Sequence, residues 1–187
     1  MQQPSESSFP TLETPRLLLR MFRESDLNAY AQMCGDPEVM RYLNDGEPLS
    51  REDAWRHMAM VVGHWSLRRF GLWAVELKES GAMIGRIGCY RPEGWPELEV
   101  GWALRRDYWG RGYAAEGARA SLRFAFTQLK ADHVVSIIHP LNIASIALAK
   151  SLGESLERES IVRATKVVIY GISRHAWERI SAETDLN

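Results

Sequence analysis

The stretch between Glu97 and Gly117 leaves the chain few ways to fold, because a strand, a glycine-rich loop and a helix follow one another there with no spacer. Glu97-Leu98-Glu99-Val100-Gly101-Trp102-Ala103-Leu104 alternates in bulk. A period of two puts Leu98, Val100, Trp102 and Leu104 on one face and Glu97, Glu99, Gly101 and Ala103 on the other. A strand inside a sheet normally fills both faces with apolar bulk. Two carboxylates beside two small residues describe either a cleft wall that something approaches or an exposed strand face. Arg105-Arg106-Asp107-Tyr108-Trp109-Gly110-Arg111-Gly112-Tyr113-Ala114 then runs directly into a helix, since Ala114, Ala118, Leu122, Ala125, Phe126 and Leu129 recur at helical spacing. Such a junction suits an anion. Glycines let amide N–H groups turn inward, and the helix start adds unpaired donors and a positive dipole end. Arg105, Arg106 and Arg111 can add charge. Neither the Lys-Ser/Thr ending of a P-loop nor a three-glycine dinucleotide fingerprint is present.

The rest of the chain alternates strands and helices. Pro15 to Phe22, with Leu17, Leu18 and Leu19, reads as a buried strand. Ser25 or Asp26 caps a helix to about Cys34, stopped by Gly35, and Asp36-Pro37 opens another short turn. Ser50, with Asp53 three residues on, caps a longer helix through Trp65. Leu72 to Lys78, Met83 to Arg91 and Glu97 to Leu104 form an antiparallel meander, the first two joined by a turn at Glu79-Ser80-Gly81-Ala82. Val134 to Ile138 is a β-branched strand, and Asn142 to Leu152 is a helix ended by Gly153. Ser155 to Val162 and Thr165 to Ser173 close the sheet before a last helical turn, Arg174 to Ile180. Residues 1–10 read as a loose tail and 11–182 as one domain, without repeat or linker.

Composition narrows the function. The 187 residues carry 45% apolar side chains, enough for a full core, and a net charge of -1 offers no global positive field for nucleic acid or an anionic membrane. Cys34 and Cys89 have no metal-like spacing and are too few for a disulfide framework, which fits a reducing, cytoplasmic setting. No apolar run approaches the ~18 to 20 residues that cross a bilayer. The five histidines lack ligand spacing, so no catalytic metal is expected. A second polar junction, His139-Pro140-Leu141-Asn142-Ile143-Ala144-Ser145, leads into the last long helix, with Asn142 placed as its cap and Ser145 in its first turn.

Taken together, Glu99-Val100-Gly101-Trp102-Ala103-Leu104, Tyr108 to Glu116, and Asn142 to Ser145 with Gly153 beyond resemble the GNAT acetyltransferases. Thr14 to Arg20 and Tyr170 to Glu178 resemble the borders of the ribosomal-protein N-terminal acetyltransferases, the RimJ/RimL-like branch, so the likeness runs from about Thr11 to Ile180. One position departs from the family: its pyrophosphate loop usually opens with Gln or Arg, and Trp109 stands there. The resemblance implies an α/β fold with a mixed, mostly antiparallel sheet, helices on both faces, and a splay between the fourth strand, ending near Leu104, and the fifth, Val134 to Ile138. Acetyl-CoA would lie in the splay, its pantetheine arm along Trp102, Ala103 and Leu104, its pyrophosphate on the amides of Trp109, Gly110, Arg111, Gly112, Tyr113 and Ala114, and Asn142 against the arm.

The implied chemistry assigns roles. A lysine amine of pKa ~10.4 or an α-amine of ~7.7 to 8.0 must lose its proton before attacking a thioester. The resemblance gives that task to Glu99, directly or through one water, with Glu97 in reserve. It gives the oxyanion to a main-chain N–H near Trp102 or Ala103, and protonation of the departing thiolate to Ser145, with Tyr108 and Tyr113 as weaker substitutes. Tyr30, Met33, Tyr42, Asn44, Trp65 and Trp73 are the expected acceptor wall, and the pair Glu97 and Glu99 favours a polycationic acceptor. A protein N-terminal amine, an amino acid, a polyamine or an aminoglycoside could each present the amine, and the protein could work as a monomer or a homodimer. Two other classes fit parts of the sequence. One is a non-catalytic CoA-binding sensor, against which Glu99 and Ser145 both speak. The other is a nucleotide-binding α/β protein.

Overall fold

The structure is a computed structural model that describes residues 9–43 and 45–184. Residues 1–8 of the expected tail and Asn44 lie outside the described residues. Phe9 and Pro10, the last two tail positions, are packed: Phe9 meets Trp65 edge-on at 5.8 Å between ring centroids, and Trp73 Nε1 donates to the Pro10 carbonyl at 2.8 Å.

The elements run β1 (Leu12–Glu13), β2 (Leu17–Arg20), α1 (Leu27–Cys34), α2 (Pro37–Met40), α3 (Arg51–Arg68), β3 (Leu72–Leu77), β4 (Ala82–Tyr90), β5 (Glu99–Leu104), α4 (Tyr113–Thr127), β6 (His133–Ile138), α5 (Ile143–Ser151), β7 (Ser155–Val162), β8 (Thr165–Ser173) and α6 (Arg174–Thr184). The expected order holds, with three differences. The two-residue strand β1 is too short to carry a period. The strand expected from Glu97 begins at Glu99, because Pro96 and Glu97 form a bend, and α6 extends past Ile180 to Thr184. Caps set two helix starts as read: Ser50 Oγ accepts from the Asp53 amide, and Asn142 Oδ1 from the Ser145 amide at 3.1 Å. At α1 the expected cap makes no capping bond, because the Asp26 carboxylate is taken by Arg20 and the Arg23 amide.

All eight strands form one sheet in the order β1-β2-β3-β4-β5-β6-β8-β7, antiparallel except for β5 and β6. Alternation along β4 assigns the helices to faces. Arg86 points to α1, where it hydrogen-bonds the Tyr30 hydroxyl. Its neighbour Ile87 points to α4, where a Cβ on Gly117 would come within 2.6 Å of Ile87 Cδ1. Helices α1 and α3 therefore cover one face and α4 the other, and Gly117 lets α4 approach closely. Tyr30, Met33, Trp65 and Trp73, expected on the acceptor wall, are core residues with at most 1% exposure. Trp65 satisfies its indole N–H on the Leu72 carbonyl at 2.8 Å. Buried Arg20 ties β2 to the entry of α1 through a bidentate pair with Asp26 and reaches Glu76 on β3.

A candidate active site where two strands part

Strands β5 and β6 stay together for a single register pair, Glu99 with Val135, where the Val135 amide donates to the Leu98 carbonyl at 3.0 Å. Beyond it they separate. The Arg105 amide bonds the Ile84 carbonyl at 2.8 Å and Ala103 pairs with Arg86, so the main chain at residues 101, 103 and 105 faces β4. Antiparallel geometry then turns the N–H and C=O of Trp102 and Leu104 into the gap, where β6 offers no register partner among the described residues. Side chains hold the gap open. Ser136 Oγ donates to the Val100 carbonyl at 2.9 Å and lies 3.0 Å from Oε1 of Glu154. Trp109 Nε1 occupies the Leu104 carbonyl at 2.8 Å. The aromatic at the departing position of the loop thus bonds back to the strand.

Two cavities meet at this opening. One, of about 420 Å³, lies on the α1 and α3 face and is lined by Glu99, Gly101, Arg86, Tyr90 and Trp95 among others. The second, of about 550 Å³, is a groove along Trp102, Ala103, Leu104, Trp109, Gly110, Gly112, Tyr113 and Ala114. Tyr42, Leu43, Trp102, Asn142 and Ser145 border both. Of the residues expected to hold the cofactor, Arg111 alone lines neither cavity. It is exposed, with its guanidinium 5.7 Å from the Tyr108 ring centroid.

The groove is built for a long ligand with an anionic part. Gly110 and Gly112 hold φ of 72° and 79°, and Gly112 begins α4 with no side-chain cap, so the first-turn amides of α4 remain available. The loop is clamped from β2. Arg16 donates to Glu116 at 2.6 Å and to the Arg111 carbonyl at 2.9 Å, and Thr14 Oγ1 donates to Glu116 at 2.6 Å. Sequence alone marks Thr14, Arg16 and Glu116 as motif positions. Their mutual contact spans a hundred residues of chain, which no local spacing shows.

Glu99 sits at the mouth of the gap. Its carboxylate accepts from Trp95 Nε1 at 2.8 Å and from the Ile137 amide, which the parting of the strands has freed. Burial pushes its pKa up to about 7, against the pull of Trp95, the charge of Arg86 and the Ile137 amide. Glu97 is elsewhere. It lines neither cavity and pairs with Arg158 and with His133 Nδ1, the latter at 3.0 Å. Bonding to Arg158 holds its carboxyl below the usual range. The expected acidic pair on one open face is therefore a single acid, and the cavity that holds it also carries Arg86 and Arg163. Ser145 Oγ lies 3.2 Å from Trp102 Nε1, which donates to it and leaves the hydroxyl proton free to point elsewhere. Asn142 uses its carbonyl oxygen as the α5 cap, so only its NH₂ is available to a ligand.

Among the described residues no cluster of three or more His, Cys, Asp or Glu could hold a metal ion, and no helix is long and apolar enough to cross a membrane.

The profile of the Acetyltransferase (GNAT) domain family matches residues 16–154. An uncharacterised N-acetyltransferase of Bacillus licheniformis is 31% identical over 157 residues, which is 82% of this chain and 85% of the relative. The crystal structure of an acetyltransferase from Agrobacterium tumefaciens superposes with a TM-score of 0.79 at 31% identity, covering 92% of this chain and 99% of that one. RimL, a ribosomal alpha-N-protein acetyltransferase in complex with coenzyme A, superposes with a TM-score of 0.74 over 88% of this chain and 98% of its own, at 16% identity, a likeness of fold.

Proposed function

Because this chain belongs to the GNAT family of acetyltransferases, we propose that it transfers an acetyl group from acetyl-CoA to a primary amine by direct attack within a ternary complex. One observation carries the reading: the half-buried Glu99 carboxyl, with a pKa near 7, lies in a cavity that opens onto the groove at Trp102 and Ser145. The groove residues fit the donor, with the N–H and C=O of Trp102 and the N–H of Leu104 facing the gap for the pantetheine arm and the start of α4 offering amides to the pyrophosphate. Acetyl-CoA supplies the acyl group as a thioester.

The chain's own groups do the rest. Glu99 takes a proton from the amine as its nitrogen attacks the acyl carbon, since an acid of pKa about 7 is a base poised at neutral pH. The amide facing the gap belongs to Trp102, while that of Ala103 is committed to β4, so Trp102 N–H donates to the charge gathering on the acyl oxygen. Ser145 gives its free proton to the departing sulfur and is reprotonated from solvent, while Glu99 releases to solvent the proton it took from the amine. The borders Thr14 to Arg20 and Tyr170 to Glu178 support a place beside the ribosomal-protein N-terminal acetyltransferases, which makes a protein N-terminal α-amine one acceptor to test and small amines the other.

Melting with and without acetyl-CoA, then thiol release across amines and N-terminal peptides, tests the reading. Stabilisation of about 2.7 kcal/mol at a hundred times Kd, with none from ATP, is expected; no shift at saturation overturns it. Ser145→Ala lowers kcat by about 10-fold, below the usual range for proton transfer, because a thiol of pKa ~8.5 departs without full protonation. Arg16→Ala frees the loop at Arg111 and Glu116 and raises the acetyl-CoA Kd by roughly 10-fold, the loss expected of one charge-assisted contact, read by titration calorimetry.

A further inference from the structure

Arg86 stands on the floor of the Glu99 cavity, on the same face of the sheet, opposite Ala103 on β5. The groups it meets on α1 and α3 are neutral. Its guanidinium donates to the Tyr30 hydroxyl, which lies 2.7 Å from His57 Nδ1. Burial drives the His57 pKa down to about 3, so its ring is uncharged, and burial likewise raises the Cys34 thiol and the hydroxyls of Tyr30 and Tyr90. Among the described residues Arg86 has no carboxylate partner. Glu99 feels its charge but bonds Trp95 and Ile137 instead. A half-buried cation bonded to a neutral hydroxyl calls for an anion, and among the described residues neither acid lining the cavity, Glu99 or Asp45, bonds it. At the rim a second cation, Arg163, lies 5.1 Å from the Trp95 ring centroid, and the one acid besides Glu99 lining the cavity is Asp45.

The spacing suits a bifunctional ligand. Four residues of β5, ~13 Å at ~3.3 Å per residue, separate Glu99 from the register partner of Arg86, and both side chains line the same cavity. Resting on the reading of this cavity as the acceptor site, we infer that the acceptor is an amine that also carries a carboxylate, seated with its nitrogen at Glu99 and its carboxylate on Arg86. A polycation, which a pair of acids would have favoured, meets a like charge at Arg86.

Matched acceptors test this. Free amino acids are compared with their carboxamides, and peptides beginning with Asp or Glu with those beginning with Asn or Gln. We expect kcat/KM to favour the carboxylate member by ~10-fold or more in one of the two series, as for a charge-assisted contact, which identifies the carboxylate's source. In Arg86→Gln the ratio falls to about 1, and Arg86→Lys restores part of it. Equal loss on both members, as if Arg86 served only to keep Glu99 ionised, overturns the inference, and so does a ratio near 1 in the wild type. A binding readout separates it from the catalytic reading. Hydroxy acids, lacking the amine, raise the melting temperature of the wild type and not of Arg86→Gln, whether or not any amine turns over. If neither protein responds to them, the inference fails even where amines are acetylated.

Discussion

Glu99→Gln lowers kcat/KM by ~10² to 10⁴, the range for a lost general base, while acetyl-CoA still protects the protein against melting. Gln keeps the shape and can still accept from Trp95 Nε1, which bonds the native carboxylate at 2.8 Å, so the loss reads basicity rather than a collapsed cavity. The pH profile gives an independent readout. With a pKa near 7, the wild-type carboxyl is protonated and idle below that pH and ionised above it, so the rate rises through about pH 7. In the variant that acid limb disappears. Trp95→Phe moves it instead: the indole bond lowers the pKa, so removing it raises the pKa and shifts the limb to higher pH. An acid limb that stays in place in both variants assigns the base to another group.

How far the sequence reached follows from range. The order of strands and helices is a matter of local pattern, and the caps Ser50 and Asn142 sit where their side-chain chemistry puts them. Glu99 and Ser145 are legible because each stands in a local motif, the first residue of β5 and the first turn of α5. Three features depend on pairing across the sheet. Glu97 leaves the face that period two assigned it because Pro96 bends the chain before β5 begins and Arg158 and His133 capture the carboxylate from β7 and β6. The amide that faces the gap is that of Trp102 rather than Ala103 because the register with β4 fixes which amides turn that way. Arg86 carries no motif, lying in an ordinary strand sequence, and its place in the cavity becomes visible once Ala103 is set beside it.

Glu154 is expected to make the fold less stable as pH rises, and Glu154→Gln to remove that loss. The residue follows Gly153 at the end of α5 and is 4% exposed, with Oε1 3.0 Å from Ser136 Oγ and Oε2 buried without a partner. Burial pushes its pKa up to about 8, opposed by Ser136 and reinforced by the charges of Glu99 and Glu157. In the unfolded chain its pKa returns to ~4.3. Below that pH both states hold the proton and the group is neutral in effect. Between there and about pH 8 the native state holds a proton that the unfolded state has released, so stability falls as pH rises and the loss is complete above the folded pKa. A shift of that size corresponds to a penalty on the order of 4 kcal/mol. Glutamine is permanently neutral and its NH₂ can donate to Ser136 Oγ, whose own proton goes to the Val100 carbonyl, so the contact beside the parted strands survives. Urea unfolding followed across pH then shows the two proteins within about 1 kcal/mol of each other near pH 5, with the variant ahead by several kcal/mol at pH 8.5. A gap that stays constant with pH, or favours the wild type at pH 8.5, means that Glu154 is ionised in the native protein and that Ser136 bonds a carboxylate there.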